Sequence, residues 1–368
     1  MNYLTTIKNS VDKIIVLVVS ILAIISIVMI GSTHISTGFI ARDTVVQAAA
    51  YLIGTVAAII ICYFHYAMFR GQESWLYAIS IALLLLVYIP GLGMEQFGAR
   101  AWINLRFTTI QPSEFVKILF VFIMAEHLSK HKDDLYSFKG LIKAGLVAAP
   151  IILIVLKEDL GSALVFASMW LAMVFFAGVN LKVIGKFFAL FLGMIPVAYL
   201  MMASYQKERI EAFLHPENLS LQGNYQVWQG KVAMGSGGLF GKGLFNGTQK
   251  ELDFIPVQTS DFIFSVLVEE LGFIGGLFVI TLFAVLLLRF TKIVRECTDL
   301  YGALIVVGFI GMFLFQVFEN LAMNMGIMPV TGITLPFLSY GGSSIISNML
   351  AVGIILNVSA RGRGMAFN

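Results

Sequence analysis

Long apolar runs separated by short polar segments organise the 368-residue chain. A bilayer core of about 30 Å needs about 20 mostly apolar residues per helical crossing. Ten runs approach that length, at approximately 12 to 32, 45 to 65, 75 to 92, 112 to 128, 140 to 157, 160 to 178, 183 to 203, 261 to 288, 300 to 322 and 340 to 357. The pattern predicts an all-α polytopic membrane protein with about ten transmembrane helices and a long extracytoplasmic loop between helices seven and eight. The first run follows Lys8 and Lys13, is long for a signal peptide and lacks a small-x-small cleavage site, so it is expected to stay as an anchor.

Composition agrees. With 59% hydrophobic and 12% charged residues, the chain has too little polar surface to cover a water-soluble globule. Lys and Arg concentrate at the cytoplasmic ends of membrane helices. An inside amino terminus gives that position to most of the 24 cations, including Lys8, Lys13, Arg70, Lys130, Lys132, Lys139, Lys143, Lys182, Lys186, Arg289, Lys292, Arg295, Arg361 and Arg363, and so predicts both termini in the cytoplasm. The net charge is only +3, and no basic cluster interleaves with aromatics, so membrane lipids are expected as partners and nucleic acid is not. Cys62 and Cys297 fall on the cytoplasmic side, where disulfides are rare, and no bridge is expected. His127 and His131 stand four apart on one helical face, but without a third ligand from Asp133 or Asp134 they read as a solvated interface, and no metal ligand is assigned.

Polar and glycine residues gather in three segments of the outer side, about 90 to 111, about 204 to 260 and about 323 to 339, and function is expected there. The middle loop, 204 to 260, has the length of a functional loop and too many aromatics for disorder. No linker and no convincing internal repeat divides the chain, so 1 to 368 is read as a single membrane domain rather than a transporter of inverted repeats.

Each motif has a plain and a functional reading. Gln111-Pro112-Ser113-Glu114-Phe115-Val116-Lys117 opens the fourth run, with Pro112 suited to the first helical turn. Glu114 and Lys117 stand on adjacent turns, either as an interfacial pair with Lys117 snorkelling outward or as a cation presented to an anionic substrate. Asp159, in the tight turn after Lys157 and Glu158, either caps the sixth helix or pairs with Lys117, or does both. Residues 235 to 243 superficially suggest a nucleotide loop, but Ser236 and Gly243 break the P-loop pattern. Gly237 and Gly238 are then either a plain turn or a backbone cradle for a phosphate or sugar. Asp261 is either an ordinary residue at a helix start or a carboxylate at the lipid and water boundary, able to take a proton. Glu270, nine residues on, points about 180° away on a straight helix, which suits packing or a partner rather than an acid pair. Ser343 and Ser344 either allow close helix approach or, with Ser339, line an outer cavity.

Together these segments resemble the SEDS family (shape, elongation, division and sporulation proteins), which includes RodA, FtsW and SpoVE. The matching positions are 98 to 102, 111 to 117, 159 to 164, Arg209 with Phe213 and Pro216, Tyr225 and Gln226 with Gln229, 235 to 243, 261 to 264 with 269 to 272, Asn324 with Gly326 and Pro329, and 335 to 344. The resemblance implies a peptidoglycan glycosyltransferase of the bacterial cell membrane. Its substrate would be lipid II, a disaccharide-pentapeptide on undecaprenyl pyrophosphate, and its partner a class B penicillin-binding protein transpeptidase. The short termini look more like the elongation member, RodA, than FtsW. By resemblance the essential aspartate of the family is Asp261, the lysine of its fourth helix is Lys117, and its basic residue before the loop tryptophan is Arg100. Ala101 stands where many members have arginine, and Val257 and Thr259 replace a Glu and a His that many members place before the aspartate.

The implied chemistry joins an acceptor sugar hydroxyl to the anomeric carbon of a lipid-linked donor, with a single inversion. Inverting glycosidases need a second carboxylate to protonate an alcohol leaving group, whereas a pyrophosphate leaves without it. One base, Asp261, and cations for the departing charge are therefore expected. Arg100, Lys117 and Arg209 are the candidate phosphate contacts, and Glu114, Asp159, Gln226, Gln229, Gly237, Gly238, Ser339 and Ser343 complete the expected substrate-binding set. No cofactor is required, although a loosely bound divalent cation, Mg or Mn, would suit the same role. A lipid-linked precursor flippase, a division or sporulation member of the same family, and a noncatalytic scaffold for a transpeptidase are the rival readings.

Overall fold

The structure, a computed structural model, describes residues 12–35, 38–96, 99–104, 109–202, 204–252 and 254–362. Position 98 of the matching motif, together with Lys8 and Arg363 of the charge pattern, lies outside the described residues. Ten long helices coincide with the ten apolar runs: α1 (Lys13–Thr33), α2 (Arg42–Tyr63), α3 (Glu73–Leu85), α4 (Pro112–Lys130), α5 (Phe138–Glu158), α6 (Leu160–Phe176), α7 (Leu181–Met201), α10 (Ile263–Glu296), α11 (Leu300–Asn324) and α12 (Gly342–Arg361). Two shorter helices, α8 (Ser204–Leu214) and α9 (Gln222–Gly237), and one helical turn, Thr248–Glu251, build the long loop.

Polar side chains at the boundaries decide where these helices begin. Asp12 accepts from Ile14 N at 3.0 Å, Ser137 Oγ from Gly140 N at 3.0 Å, Asn180 Oδ1 from Lys182 N at 2.9 Å and Asp299 Oδ2 from Gly302 N at 3.2 Å. Each satisfies an amide that the first helical turn leaves without an internal partner. Asp159 ends α5 and starts α6, accepting from Ser162 N at 3.2 Å, which makes that charged turn a single-residue joint.

Burial separates centre from rim. The most apolar stretches of α11 and α12 are 78% and 83% buried, whereas that of α2 is 22% buried and faces outward. Helix α4 is buried along nearly its whole length. Its wall of Phe120, Val121, Ile123 and Met124 joins α6 and α11 in one apolar core. Six helices, α1, α2, α5, α10, α11 and α12, are by themselves long and apolar enough to cross a membrane among the described residues.

Two features depart from the apolar pattern. The segment after α3 forms a small antiparallel sheet, β1 (Gly93–Gln96), β2 (Ala99–Asn104) and β3 (Thr109–Ile110), in the order β1-β2-β3. Helix α10 is broken at Gly272, whose φ of 71° and ψ of −173° fall outside helical geometry. Phe273 N and Ile274 N, which lose helical acceptors at the break, donate instead to Gly238 O at 2.9 Å and Leu239 O at 3.2 Å. Lys242 N and Gly243 N donate to Glu269 O and Glu270 O, both at 3.0 Å, so the glycine run clasps the break from both sides.

Candidate functional site

A cavity of about 530 Å³ opens at the end of the bundle that carries the sheet and the long loop. Glu114 from α4, Asp159 and Ser162 from α6, Glu208 and Arg209 from α8, and Gly223 and Gln226 from α9 form part of its wall. The segment 257–261, the strap 330–334 and the first turn of α12 close it.

Asp261 occupies a turn ahead of α10. The N-cap of that helix is Phe262, with no side-chain cap bond, so a capping role for the aspartate is set aside. Its backbone is held from two sides. The carbonyl of Asp261 accepts from Asn320 Nδ2 at 3.1 Å and from Asn324 Nδ2 at 2.9 Å, and Asn320 Nδ2 also donates to Ile333 O at 2.8 Å. From the other side Ser339 Oγ donates to Ser260 O at 2.5 Å, and Tyr340 N donates to Thr259 O at 2.8 Å. The carboxyl itself accepts from Ser260 Oγ at 3.0 Å. Burial pushes its pKa up to about 6, with a further push from Asp159, against the opposing pull of the Ser260 hydroxyl and the Arg209 guanidinium. A Cβ built on Gly332 would stand 3.8 Å from Arg209 Nη1 and 3.9 Å from Asp261 Oδ2, so cation and carboxylate flank the same glycine.

The expected residues divide into those on this wall and those off it. Asp261, Glu114, Asp159, Arg209, Gln226 and Ser343 line the cavity, and Ser343 Oγ accepts from Gln111 N at 3.3 Å. Lys117 does not. Its Nζ lies 2.7 Å from Glu114 Oε2 and its side chain is 1% exposed, so it neither snorkels nor pairs with Asp159. The carboxylate one turn away satisfies it within its own helix, and Asp159 is taken up by Ser162, whose Oγ donates at 2.6 Å. Arg100 is also off the wall, although Ala101 and Trp102 are on it. Its backbone N donates to Glu158 Oε2 at 3.0 Å, and its side chain lies against β1, with Nε 3.1 Å from where a Cβ on Gly93 would stand. Gln229 lies a turn beyond Gln226 and outside the lining, and Ser339 is buried beneath it as a backbone brace.

Gly237 and Gly238 serve α10 instead of the cavity. A Cβ on Gly237 would stand 2.2 Å from Val268 O, a close backbone approach to that helix, whereas Gly238 has open space around it at a φ of 55° and offers its carbonyl to Phe273 N; neither is in the cavity lining. Glu269 and Glu270, on the clasped turn, are fully buried. Lys242 Nζ meets Glu269 Oε1 at 2.6 Å, and Lys250 Nζ pairs with Glu270 Oε1, which also accepts from Ser32 Oγ at 2.6 Å. The packing role expected for Glu270 is what these contacts build.

The wall is richer in acid than the sequence suggested. Glu114, Glu158, Asp159, Glu208 and Asp261 line it, with Arg209 as the cation among the described lining residues. No three His, Cys, Asp or Glu groups among the described residues converge to hold a metal ion, so a divalent cation here would need phosphate oxygens of the substrate as further ligands. Gln316, Glu319 and Asn320, which are not among the expected site residues, form with Asn324 a buried polar stripe on α11. Their spacing of three, four and eight residues inside an apolar run is a legible signal, because ionisable and amide groups in a membrane helix face partners.

The sequence pattern of the FtsW/RodA/SpoVE family, described as cell cycle protein, matches residues 12–364. Stage V sporulation protein E of Bacillus subtilis (strain 168) is 38% identical over 374 residues, covering 98% of this chain and 100% of that protein. Peptidoglycan glycosyltransferase RodA of Treponema pallidum (strain Nichols) is 31% identical, covering 95% and 98%. Among solved structures, a chain from work on the structural coordination of polymerization and crosslinking by a peptidoglycan synthase complex superposes with a TM-score of 0.81 at 29% identity, covering 95% of this chain and 97% of that one. The rod shape determining protein RodA of Thermus thermophilus superposes with a TM-score of 0.70 at 28% identity, covering 96% and 98%.

Proposed function

The chain belongs to the FtsW/RodA/SpoVE family of cell cycle proteins, and from that premise we propose that its cavity polymerises lipid II by inverting transfer, with Asp261 as general base. The protein is a multi-pass membrane peptidoglycan glycosyltransferase. The observation that carries the finer reading is the juxtaposition of Asp261 and Arg209 about Gly332 on one cavity wall.

The reaction forms a bond between the acceptor sugar 4-hydroxyl oxygen and the donor anomeric carbon. It breaks the bond from that carbon to the diphosphate oxygen, and the hydroxyl proton passes to Asp261. A base with a pKa near 6 is ionised at neutral pH and more basic than a free Asp at about 3.9, which is the compromise that general base catalysis favours. Arg209 supplies paired hydrogen bonds to the departing diphosphate, whose charge grows as the bond breaks. The surrounding carboxylates suit the sugar hydroxyls and amides of the substrate, which donate hydrogen bonds to them. We assign the cavity to the extracytoplasmic face and both termini to the cytoplasm, in keeping with the lysines and arginines at the other end of the bundle. The likeness to a chain of a synthase complex supports a crosslinking partner, assigned here as a class B penicillin-binding transpeptidase; the likeness to two RodA proteins is in keeping with a role in elongation, and the 38% identity to stage V sporulation protein E favours sporulation as the second reading.

Polymerisation of lipid II by the purified chain with its transpeptidase tests the proposal. Asp261→Asn is expected to lower the rate by about 10²- to 10⁴-fold while keeping the fold. Full-rate polymer from a folded Asp261→Asn protein would exclude the base, and translocation of lipid II without polymer by the native chain would favour a flippase.

A further inference from the structure

Beneath the cavity wall, α11 carries a fully buried glutamate that the reaction as written does not use. Glu319 is 0% exposed, and its Oε1 accepts a hydrogen bond from Thr331 Oγ1, a residue of the strap. Its Oε2 has no hydrogen-bond partner among the described residues. A half-satisfied carboxylate inside an apolar bundle is costlier than an apolar side chain of similar size, so its presence needs a gain elsewhere.

The strap shows where that gain lies. The carbonyl of Thr331 accepts from Arg209 Nη1 at 2.8 Å. The same carbonyl lies against α6, where a Cβ on Gly161 would stand 3.0 Å from it and 2.8 Å from Ile333 Cγ1. Asn320, one residue past Glu319, holds the next part of the strap through Ile333 O at 2.8 Å. The strap therefore has its threonine hydroxyl anchored on α11 and its threonine carbonyl turned towards α8.

The geometry points to Glu319 as a positioning residue that fixes Arg209 for the lipid diphosphate, acting through Thr331. Arg209 belongs to the loop helix α8, whereas Asp261 is braced by α11 through Asn320 and Asn324. The Glu319–Thr331–Arg209 relay refers the cation to the same helix that sets the base, so one rigid element fixes both groups that meet the substrate. This assignment rests on the reading that the cavity binds a lipid diphosphate. Glu319 touches no reacting atom.

Binding of a polyprenyl diphosphate to the purified full chain in nanodiscs tests it without turnover. Thr331→Val, which removes only the hydroxyl, and Glu319→Leu are expected to weaken binding about five- to tenfold, the worth of about one hydrogen bond. Glu319→Gln keeps an acceptor for the hydroxyl and is expected to recover most of that loss. In an Arg209→Ala background neither substitution should cost anything further, because the group they position is gone. Native-strength binding by Thr331→Val, or losses that add to that of Arg209→Ala, would overturn the relay. If Glu319→Leu does not fold, the near-isosteric Thr331→Val decides alone. A separate arm isolates the underlying reading: Asp261→Asn is expected to bind the diphosphate while polymerising about 10²- to 10⁴-fold more slowly. Failure of the native chain to bind the diphosphate overturns both the site and the relay, whereas native binding unaffected by Thr331→Val overturns the relay alone.

Discussion

The protonation of Asp261 is set by a short list of neighbours, and each makes a distinct prediction. A base must be ionised to act, so the raised pKa places the acid limb of the polymerisation rate near pH 6, with activity rising as pH increases through that value. Asp159→Asn removes a like charge and keeps a good capping side chain, so the limb should move to lower pH. Arg209→Ala removes the stabilising cation, so the limb should move to higher pH, together with weaker donor binding. Rate profiles of kcat/KM against pH for the three proteins check both signs, and shifts in the same direction would refute the electrostatic account. Asp261 was legible in the sequence because a carboxylate beside an apolar run is rare and the motif around it resembles a known pattern. Its neighbours were less so. For Lys117 the sequence supplies both the pairing with Glu114 one turn away and a phosphate contact, and only burial, which spacing does not show, puts the cation against its helix neighbour.

At the scale of elements, the break in α10 carries the clearest structural prediction. A Cβ on Gly272 would stand 2.3 Å from Gly241 N and 2.4 Å from Leu239 O, both backbone atoms, at a φ of 71° that side chains disfavour. Gly272→Ala should therefore lower stability by about 1–3 kcal/mol, seen as a fall in the unfolding midpoint of the purified protein, whereas Gly235→Ala, with open space around it, should leave the midpoint nearly unchanged. Ten helices could be placed from apolar runs alone because hydrocarbon thickness sets their length. The break could not, since a single glycine in an apolar run is equally compatible with a continuous helix. The three-stranded sheet after α3 escaped for another reason: strands of six residues or fewer between turns leave a weak alternation signal.

For the whole molecule, the long loop is fastened to the bundle by buried charge. Lys250 and Glu270 are 1% and 0% exposed, and removing one partner strands the other in an apolar interior. Lys250→Met should cost about 3–5 kcal/mol, and the Lys250→Met, Glu270→Met double variant should recover much of it, as read by unfolding midpoints of the two proteins. The reach of that fastening follows from the clasp at Gly272. The inner half of α10 draws its first two amide bonds from residues more than thirty positions earlier in the chain, so it has no independent starting point. Proteolytic nicking at Leu239 would thus be felt far from the cut: deuterium should enter at Phe273 and Ile274 as soon as the severed ends drift away, while the amides of α11 stay shielded. A surface scission would in this way begin to unravel a helix that lies inside the bilayer.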